Sequence, residues 1–81
     1  MTQDEYSRRL LDRIGRNLRE KRLEAGETYY SMHKKTGIAN HTILNWEMGH
    51  HAPTIDKLYW VCKVMEWNLG EILWAKKKEG I

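Results

Sequence analysis

The side chains best suited to hydrogen-bond a partner gather in one stretch, TGIANHTILNWEMG, which runs from Thr36 to Gly49. A helix turns about 100° per residue, so it would sort these side chains onto two arcs. One arc contains Asn40, His41, Leu44, Asn45 and Met48. The other contains Thr42, Ile43, Trp46 and Glu47. Because the second arc holds two large apolar groups, we expect it to face a core and the first to present amides and an imidazole outward.

Such an outward face has several interpretations. It is compatible with a solvated surface that carries two stray apolar residues, with a protein-binding patch, or with a face that contacts the base edges of nucleic acid. The residues of the stretch alone do not choose among them.

Other kinds of chemistry find little support. The chain has four histidines and one cysteine, but His50 and His51 are adjacent, and no Cys-x-x-Cys or His-x-x-x-His spacing occurs. No nucleophile can be paired with a base either. The sequence therefore predicts no catalytic residue, no metal site, no cofactor and no enzyme activity.

Five helices separated by glycines are predicted to position these residues, the first of them long. Thr2 followed by Glu5 is a capping-box pattern that starts this helix, and Gly26 ends it. An apolar stripe is predicted at Tyr6, Leu10, Ile14 and Leu18.

Two short helices are expected next. Thr28 can cap the second helix, which ends before Gly37, and Ile38 follows as the apolar residue of the turn. The third helix covers about residues 40 to 48.

Two further helices complete the prediction. Thr54 can cap the fourth helix, and Asn68 with Glu71 forms a capping-box pair for the fifth. The core stripe of the fourth helix is predicted at Ile55, Leu58, Val61, Cys62 and Met65.

The composition is typical of one small globular domain, here residues 1–81. Hydrophobic residues make up 41% and charged residues 31%, and a net charge of +3 favours polyanionic partners only mildly. A single cysteine excludes an internal disulfide and fits a reducing compartment. No apolar run approaches the roughly 20 residues of a membrane span, and charges interrupt any signal-peptide core. We therefore expect a cytoplasmic protein.

A longer pattern is formed by Ile14, Leu18, Arg19, Arg22, Gly26, Thr28, Thr36, Gly37, Ile38, Thr42, Ile43, Trp46, Glu47, Gly49, Pro53, Leu58, Val61 and Leu69. Its most diagnostic part is W-E-x-G at Trp46 to Gly49, followed shortly by Pro53. Over about residues 10 to 73 the chain resembles the lambda-repressor-like helix-turn-helix family, which includes the Cro and phage repressor proteins. The resemblance implies an all-α, five-helix domain with a helix-turn-helix over about residues 28 to 48, here with an N-terminally extended first helix.

The resemblance also implies that the third helix contacts double-stranded DNA in the major groove. The implied base contacts are Asn40, His41, Leu44 and Asn45. An asparagine can pair bidentately with adenine, and an aliphatic side chain such as Leu44 can meet a thymine methyl. The implied phosphate contacts are Thr28, Tyr29, Thr42, His50 and His51. Arg9, Arg13 and Arg16 on the first helix are possible contributors, with solvated arginines as the alternative.

One charged pair is expected inside the domain. Glu47 falls on the core-facing arc, where an unpaired carboxylate would be costly. The resemblance implies that Arg22 is its partner and that the pair locks the third helix against the first. The alternative is two independent surface charges.

The chain departs from the family pattern at several positions. His33 stands where a small alanine is usual, which predicts looser packing of helices two and three, and Glu27 replaces a leucine-like residue. Ala39 has no side chain that caps a helix, so Asn40 is the alternative cap. Glu66 replaces a glycine at a helix end, where left-handed geometry costs roughly 1 kcal/mol.

Four tryptophans are many for so short a chain. Trp60, Val64 and Trp67 form a stripe separate from the core stripe of the fourth helix, and two apolar faces on one helix predict a homodimer interface, extended by Trp74. The alternative is that these side chains cover the first helix or the N-terminal extension.

Together these patterns predict a sequence-specific DNA-binding transcriptional regulator, most simply a small repressor. The competing prediction is an antitoxin, which would bind a protein toxin as well as its own operator.

Overall fold

The computed structural model describes residues 1–74, and within them the chain forms five α-helices and no strand. They are α1 (Gln3–Glu24), α2 (Tyr29–Thr36), α3 (Asn40–Glu47), α4 (Ile55–Met65) and α5 (Leu69–Leu73). The predicted all-α class is confirmed. No helix in this part of the chain is long and apolar enough to cross a membrane.

Most helix ends lie where local sequence signals predict them. The Thr2 hydroxyl accepts the Glu5 N–H, and the Glu5 carboxylate accepts the Thr2 N–H. Thr28 caps α2 in the same reciprocal manner, with Ser31 as its partner. Gly37 ends α2 at φ 78°, in the left-handed region that glycine enters without strain.

Two predicted side-chain caps were wrong. Ala39, and not Asn40, is the N-cap of α3, and it makes no side-chain capping bond. Thr54 occupies the N-cap of α4 but also makes no capping bond. Its hydroxyl hydrogen-bonds the Asp56 carboxylate and thereby lowers the pKa of that group.

The core lies where α1 crosses the other helices, and it consists of Ile14, Leu18, Met32, Ile43, Trp46, Leu58, Val61, Cys62 and Ile72. α1 packs against both α3 and α5, while α2 packs against α3 and α4. The buried Asn17 amide donates to the Ile72 carbonyl at 2.8 Å, which ties α1 to α5.

Two residues of the predicted apolar stripes lie outside this core. Tyr6 is 56% exposed and Ile55 is 66% exposed. Each lies at the start of its helix; residues 1–9 of the chain are all exposed, so the beginning of α1 extends past its neighbours. Helical periodicity gives the direction of a side chain, but not whether another element reaches it.

Candidate functional site on the third helix

The two faces of α3 differ as the sequence predicts. Ile43 and Trp46 are only 3% and 4% exposed, and the Glu47 side chain is 2% exposed. The opposite side, which we call the outward face, consists of Asn40, His41, Leu44, Asn45 and Met48. Asn45 is half-buried and the other four are exposed.

A buried cluster of charged and polar groups holds this face in position. The Arg22 guanidinium donates from Nε to Glu47 Oε2 at 2.7 Å and from Nη2 to Glu47 Oε1 at 3.2 Å. Its Nη1 donates to the Glu27 carbonyl at 3.0 Å, and the Tyr29 hydroxyl donates to Glu47 Oε1 at 2.8 Å. The bidentate pair between Arg22 and Glu47 therefore joins α1 to α3, and Tyr29 adds α2 to the same cluster.

Tyr29 belongs to this cluster through its ring as well. The Arg22 guanidinium lies 4.1 Å from the ring centroid. Burial, together with the bond to Glu47, raises the pKa of the phenol. Because the hydroxyl hydrogen is already donated to Glu47, only an oxygen acceptor remains, and a phosphate oxygen needs a donor. The predicted phosphate contact at Tyr29 can therefore be made by its backbone N–H and not by its hydroxyl.

The turn before α3 is fastened by two side chains whose roles the sequence did not indicate. His33 Nδ1 lies 2.9 Å from the Ile38 carbonyl, and since a carbonyl only accepts, this nitrogen carries the hydrogen. Trp60 donates its indole N–H to the Thr36 carbonyl at 2.8 Å. The imidazole thus bridges α2 and the turn, at the position for which the sequence predicts looser packing.

The start of α2 offers unused donors beside α3. The N–H groups of Tyr29 and Tyr30 have no backbone acceptor within residues 1–74, and they lie at the positive end of the helix dipole. The Thr28 hydroxyl accepts the Ser31 N–H, which leaves its own hydrogen available. The nearby Glu27 carboxylate pairs with Lys35 and accepts the Ser31 hydroxyl, and these contacts lower its pKa.

The loop after α3 presents two of the predicted phosphate contacts. His50 and His51 are exposed, and their backbone N–H groups donate to the Asn45 carbonyl at 2.9 and 3.4 Å. Thr42, on the edge of α3, is half-buried. Gly49 adopts φ 76°, and a Cβ at this position would lie 2.7 Å from Asp12 Oδ1.

The arginines of α1 lie beside different parts of the surface. A surface cleft of about 510 Å³ separates α1 from the loop after α3, and Arg8 and His50 line it together with Asp4. Arg9 and Arg13 line another groove, alongside Tyr6. Arg16 is exposed.

Arg8, which was not among the predicted contacts, is thus the α1 arginine that lines the cleft beside His50. It lies seven residues before Gly15, the residue at which α1 meets α3, and residues seven apart share one helix face. Arg9 is rotated by about 100° from that face. The sequence does not show where α1 crosses α3, and this crossing decides which arginine lies beside the loop after α3.

The predicted dimer residues do not form one exposed stripe. Trp67 packs against the core of its own chain, and Val64 is half-buried. Trp60 is 48% exposed and Trp74 is 62% exposed, but the indole N–H of Trp60 is used within the fold. Trp60 and Trp67 thus make contacts within their own chain, Trp60 with the end of α2 and Trp67 with the core.

Within residues 1–74 no group of three or more histidine, cysteine, aspartate or glutamate side chains is arranged to hold a metal ion. No family model matches the chain, and no curated protein or solved structure matches it either.

Proposed function

We propose that the chain is a sequence-specific double-stranded DNA-binding transcriptional regulator with a lambda-repressor-like helix-turn-helix, acting in the cytoplasm as a small homodimeric repressor of phage or bacterial type. The observation that carries the proposal is the outward face of α3. Asn40 and His41 stand exposed on a helix whose other side is anchored by the Arg22–Glu47 pair. A helix held by a rigid scaffold with free amides outward suits base readout in the major groove.

Base contacts come from four side chains in this proposal: Asn40, His41, Leu44 and Asn45. Because Ala39 is the N-cap of α3, the Asn40 amide is not consumed by capping. An amide that pairs bidentately with adenine discriminates against other bases by about 1–3 kcal/mol.

Phosphate contacts surround that face. The free N–H groups of Tyr29 and Tyr30, together with the Thr28 hydroxyl, suit a phosphate at the start of α2. His50 and His51 suit the neighbouring phosphates from the loop after α3. Such contacts set affinity and salt dependence, and they do not select sequence.

A two-fold dimer built on α4 and the end of α5 would present two copies of α3 about 34 Å apart, which suits an inverted repeat. The exposed parts of Trp60 and Trp74 support this arrangement, with Val64 at its margin. Trp67 packs against the core of its own chain, so it would lie only at the edge of the dimer surface.

The proposal is tested by selecting bound sequences from random duplex DNA with the wild-type chain and with Asn45→Ala. We expect Asn45→Ala to relax preference at one base position in each half-site. His51→Ala is the matched control, because loss of a phosphate contact weakens binding evenly across sequences. Failure of the wild-type chain to retain any duplex at low salt would exclude the proposed function.

An antitoxin is the second candidate, and exposed apolar side chains on α4 favour it. Ile55, Tyr59 and Trp60 are 66%, 61% and 48% exposed; Ile55 and Tyr59 are four residues apart and share one face of α4. Co-expression with a small protein encoded next to this chain, followed by co-purification, would support this candidate if Tyr59→Ala released the partner and left DNA binding unchanged.

A further inference from the structure

Two apolar side chains lie at the centre of the outward face of α3. Leu44 is 40% exposed and Met48 is 57% exposed. They are four residues apart, so they lie about 40° from each other around the helix and about 6 Å apart along it. Asn40 flanks them on one side, and His41 and Asn45 on the other.

The fold does not need these two side chains. Ile43 and Trp46 already supply the buried side of α3, and Leu44 and Met48 belong neither to the core nor to the groups packed against it. Apolar groups in water are unfavourable unless a partner covers them. The arrangement therefore points to a partner that is apolar at two points and polar around them.

The size of this apolar surface limits what the partner can be. A stable protein interface buries about 800 Å² on each side, whereas here two apolar side chains are bordered by amides and an imidazole. Base edges in the major groove match the pattern better, since the C5-methyl group of thymine is the one apolar group that they present.

We propose that Leu44 and Met48 together contact the C5-methyl groups of two pyrimidines in each DNA half-site. This inference rests on the proposed function and specifies the DNA sequence that the chain prefers: each half-site contains two methylated pyrimidines. With about 3.4 Å between successive bases along a strand, a spacing of about 6 Å along the helix places these pyrimidines one or two base steps apart.

The backbone at the end of α3 holds Met48 in place for such a contact. Its N–H donates to the Leu44 carbonyl at 2.9 Å, and the left-handed Gly49 ends the helix immediately after it. The thioether side chain remains flexible, whereas a leucine is stiffer. We therefore expect the stronger methyl discrimination at the position that Leu44 contacts.

The test replaces single thymines by deoxyuridine in a duplex obtained by selection, because this exchange removes only the methyl group. For the wild-type chain we expect a loss in affinity of about three- to five-fold, the size expected for burying one methyl group, at two positions in each half-site. Leu44→Ala should abolish the difference between thymine and uracil at one position, and Met48→Ala at the other. Leu23→Ala, which alters an exposed apolar residue on α1 that has no part in the proposed DNA contacts, should preserve both.

The outcomes separate this inference from the function on which it rests. A chain that binds a selected duplex but tolerates deoxyuridine at every position overturns the methyl contacts and leaves DNA binding intact. Equal losses for thymine and uracil duplexes in Leu44→Ala and Met48→Ala would also overturn them, since the side chains would then contact sugar or phosphate. The methyl contacts are likewise overturned if Leu44→Ala and Met48→Ala bind DNA normally and lose only a protein partner. A chain that retains no duplex at all removes both proposals.

Discussion

At the residue scale, the position of α3 depends on one carboxylate removed from water. Glu47 accepts hydrogen bonds from Arg22 at both carboxylate oxygens and from the Tyr29 hydroxyl at Oε1. Its negative charge is therefore compensated by the adjacent guanidinium. Two other ion pairs, Lys21–Glu71 and Lys35–Glu27, each have at least one side chain more than half exposed. Of the three ion pairs, only Arg22–Glu47 is expected to contribute strongly to the stability of the fold.

Glu47→Ala is expected to lower the free energy of unfolding by about 3–5 kcal/mol, because Arg22 would remain buried without its partner. That loss is comparable with the whole stability of a chain of this length, about 4–12 kcal/mol. Tyr29→Phe keeps the ring and removes one bond to Glu47, so a loss of about 1.5–3 kcal/mol is expected. Urea denaturation measures both variants.

Glu71→Ala is the matched control for these variants, because it breaks the partly exposed pair with Lys21 and should cost less than about 1 kcal/mol. If all three substitutions cost equally little, the Arg22–Glu47 pair is solvated and does not hold α3.

The acid limit of stability is a second prediction at this scale. The contacts with Lys35 and Ser31 lower the pKa of Glu27 below its ordinary value of 4.5. A depressed pKa stabilises the folded state fully above pH 4.5, and the contribution is lost as the pH falls through the folded-state value. We expect the free energy of unfolding to decline below about pH 4.5, and Glu27→Gln to make this decline shallower.

Urea denaturation at a series of pH values measures that slope. Glu24→Gln serves as the control, because Glu24 is exposed and takes part in no ion pair within residues 1–74. An unchanged slope in Glu27→Gln would show that the contact with Lys35 does not persist in solution.

At the scale of the helix, the backbone is strained at the end of α4. Glu66 ends α4 at φ 59° and is the one non-glycine residue with positive φ among those described. Gly26, Gly37 and Gly49 occupy the comparable positions. A side chain in this conformation costs about 1 kcal/mol, and glycine avoids that cost.

Glu66→Gly is therefore expected to raise the free energy of unfolding by up to about 1 kcal/mol. Gly37→Ala is the mirror-image control, because a Cβ there meets no atom within 4 Å and its effect reports conformational strain alone. It should lower stability by a similar amount. Thermal denaturation followed by circular dichroism measures both, and a Glu66→Gly variant less stable than wild type would contradict the prediction.

α1 and α3 cross in close contact at Gly15. A Cβ on Gly15 would lie 2.6 Å from the Glu47 carbonyl oxygen and closer still to that of Trp46. Alanine in place of glycine within a helix normally stabilises by about 1 kcal/mol.

Gly15→Ala is expected to do the opposite, because backbone atoms cannot yield without moving α3 away from α1. We expect lower stability in urea together with weaker duplex binding. Arg16→Ala, one residue along on the exposed side, should leave stability within about 0.5 kcal/mol of wild type. A stabilised Gly15→Ala variant would show that the two helices are farther apart than described.

At the scale of the whole molecule, association of two chains is expected to decide how far the DNA site is occupied. One small domain buries too little DNA surface for tight specific binding, so dimerisation and binding should be linked. The exposed apolar side chains on α4 and at the end of α5 are the candidates for that contact. They also separate the two proposed functions, since the same surface cannot serve a second copy and a toxin at once.

Trp74→Ala is expected to shift the chain toward monomers and to weaken duplex binding at low protein concentration. Tyr6→Ala is the control, because Tyr6 is similarly exposed at the opposite end of the sequence. Sedimentation equilibrium over a range of concentrations measures the association. A wild-type chain that stays monomeric throughout, or a Tyr6→Ala variant that dissociates as readily, would exclude a dimer at this surface.

Local features determined much of this protein from its sequence alone. Helical periodicity separated Ile43 and Trp46 from Asn40 and His41, and capping patterns located the starts of α1, α2 and α5. These features depend on residues within one or two turns of each other, so a linear pattern contains them. The partner of Glu47 came instead from the resemblance, which supplies information about contacts distant in sequence.

Only the tertiary structure decided how side chains far apart in the sequence use their donors. The Tyr29 hydroxyl turns toward Glu47, and the Trp60 indole toward Thr36. Arg8, and not Arg9, lines the cleft beside His50. Each of these outcomes depends on the angle and position at which two helices cross, and periodicity within a single helix contains no information about either.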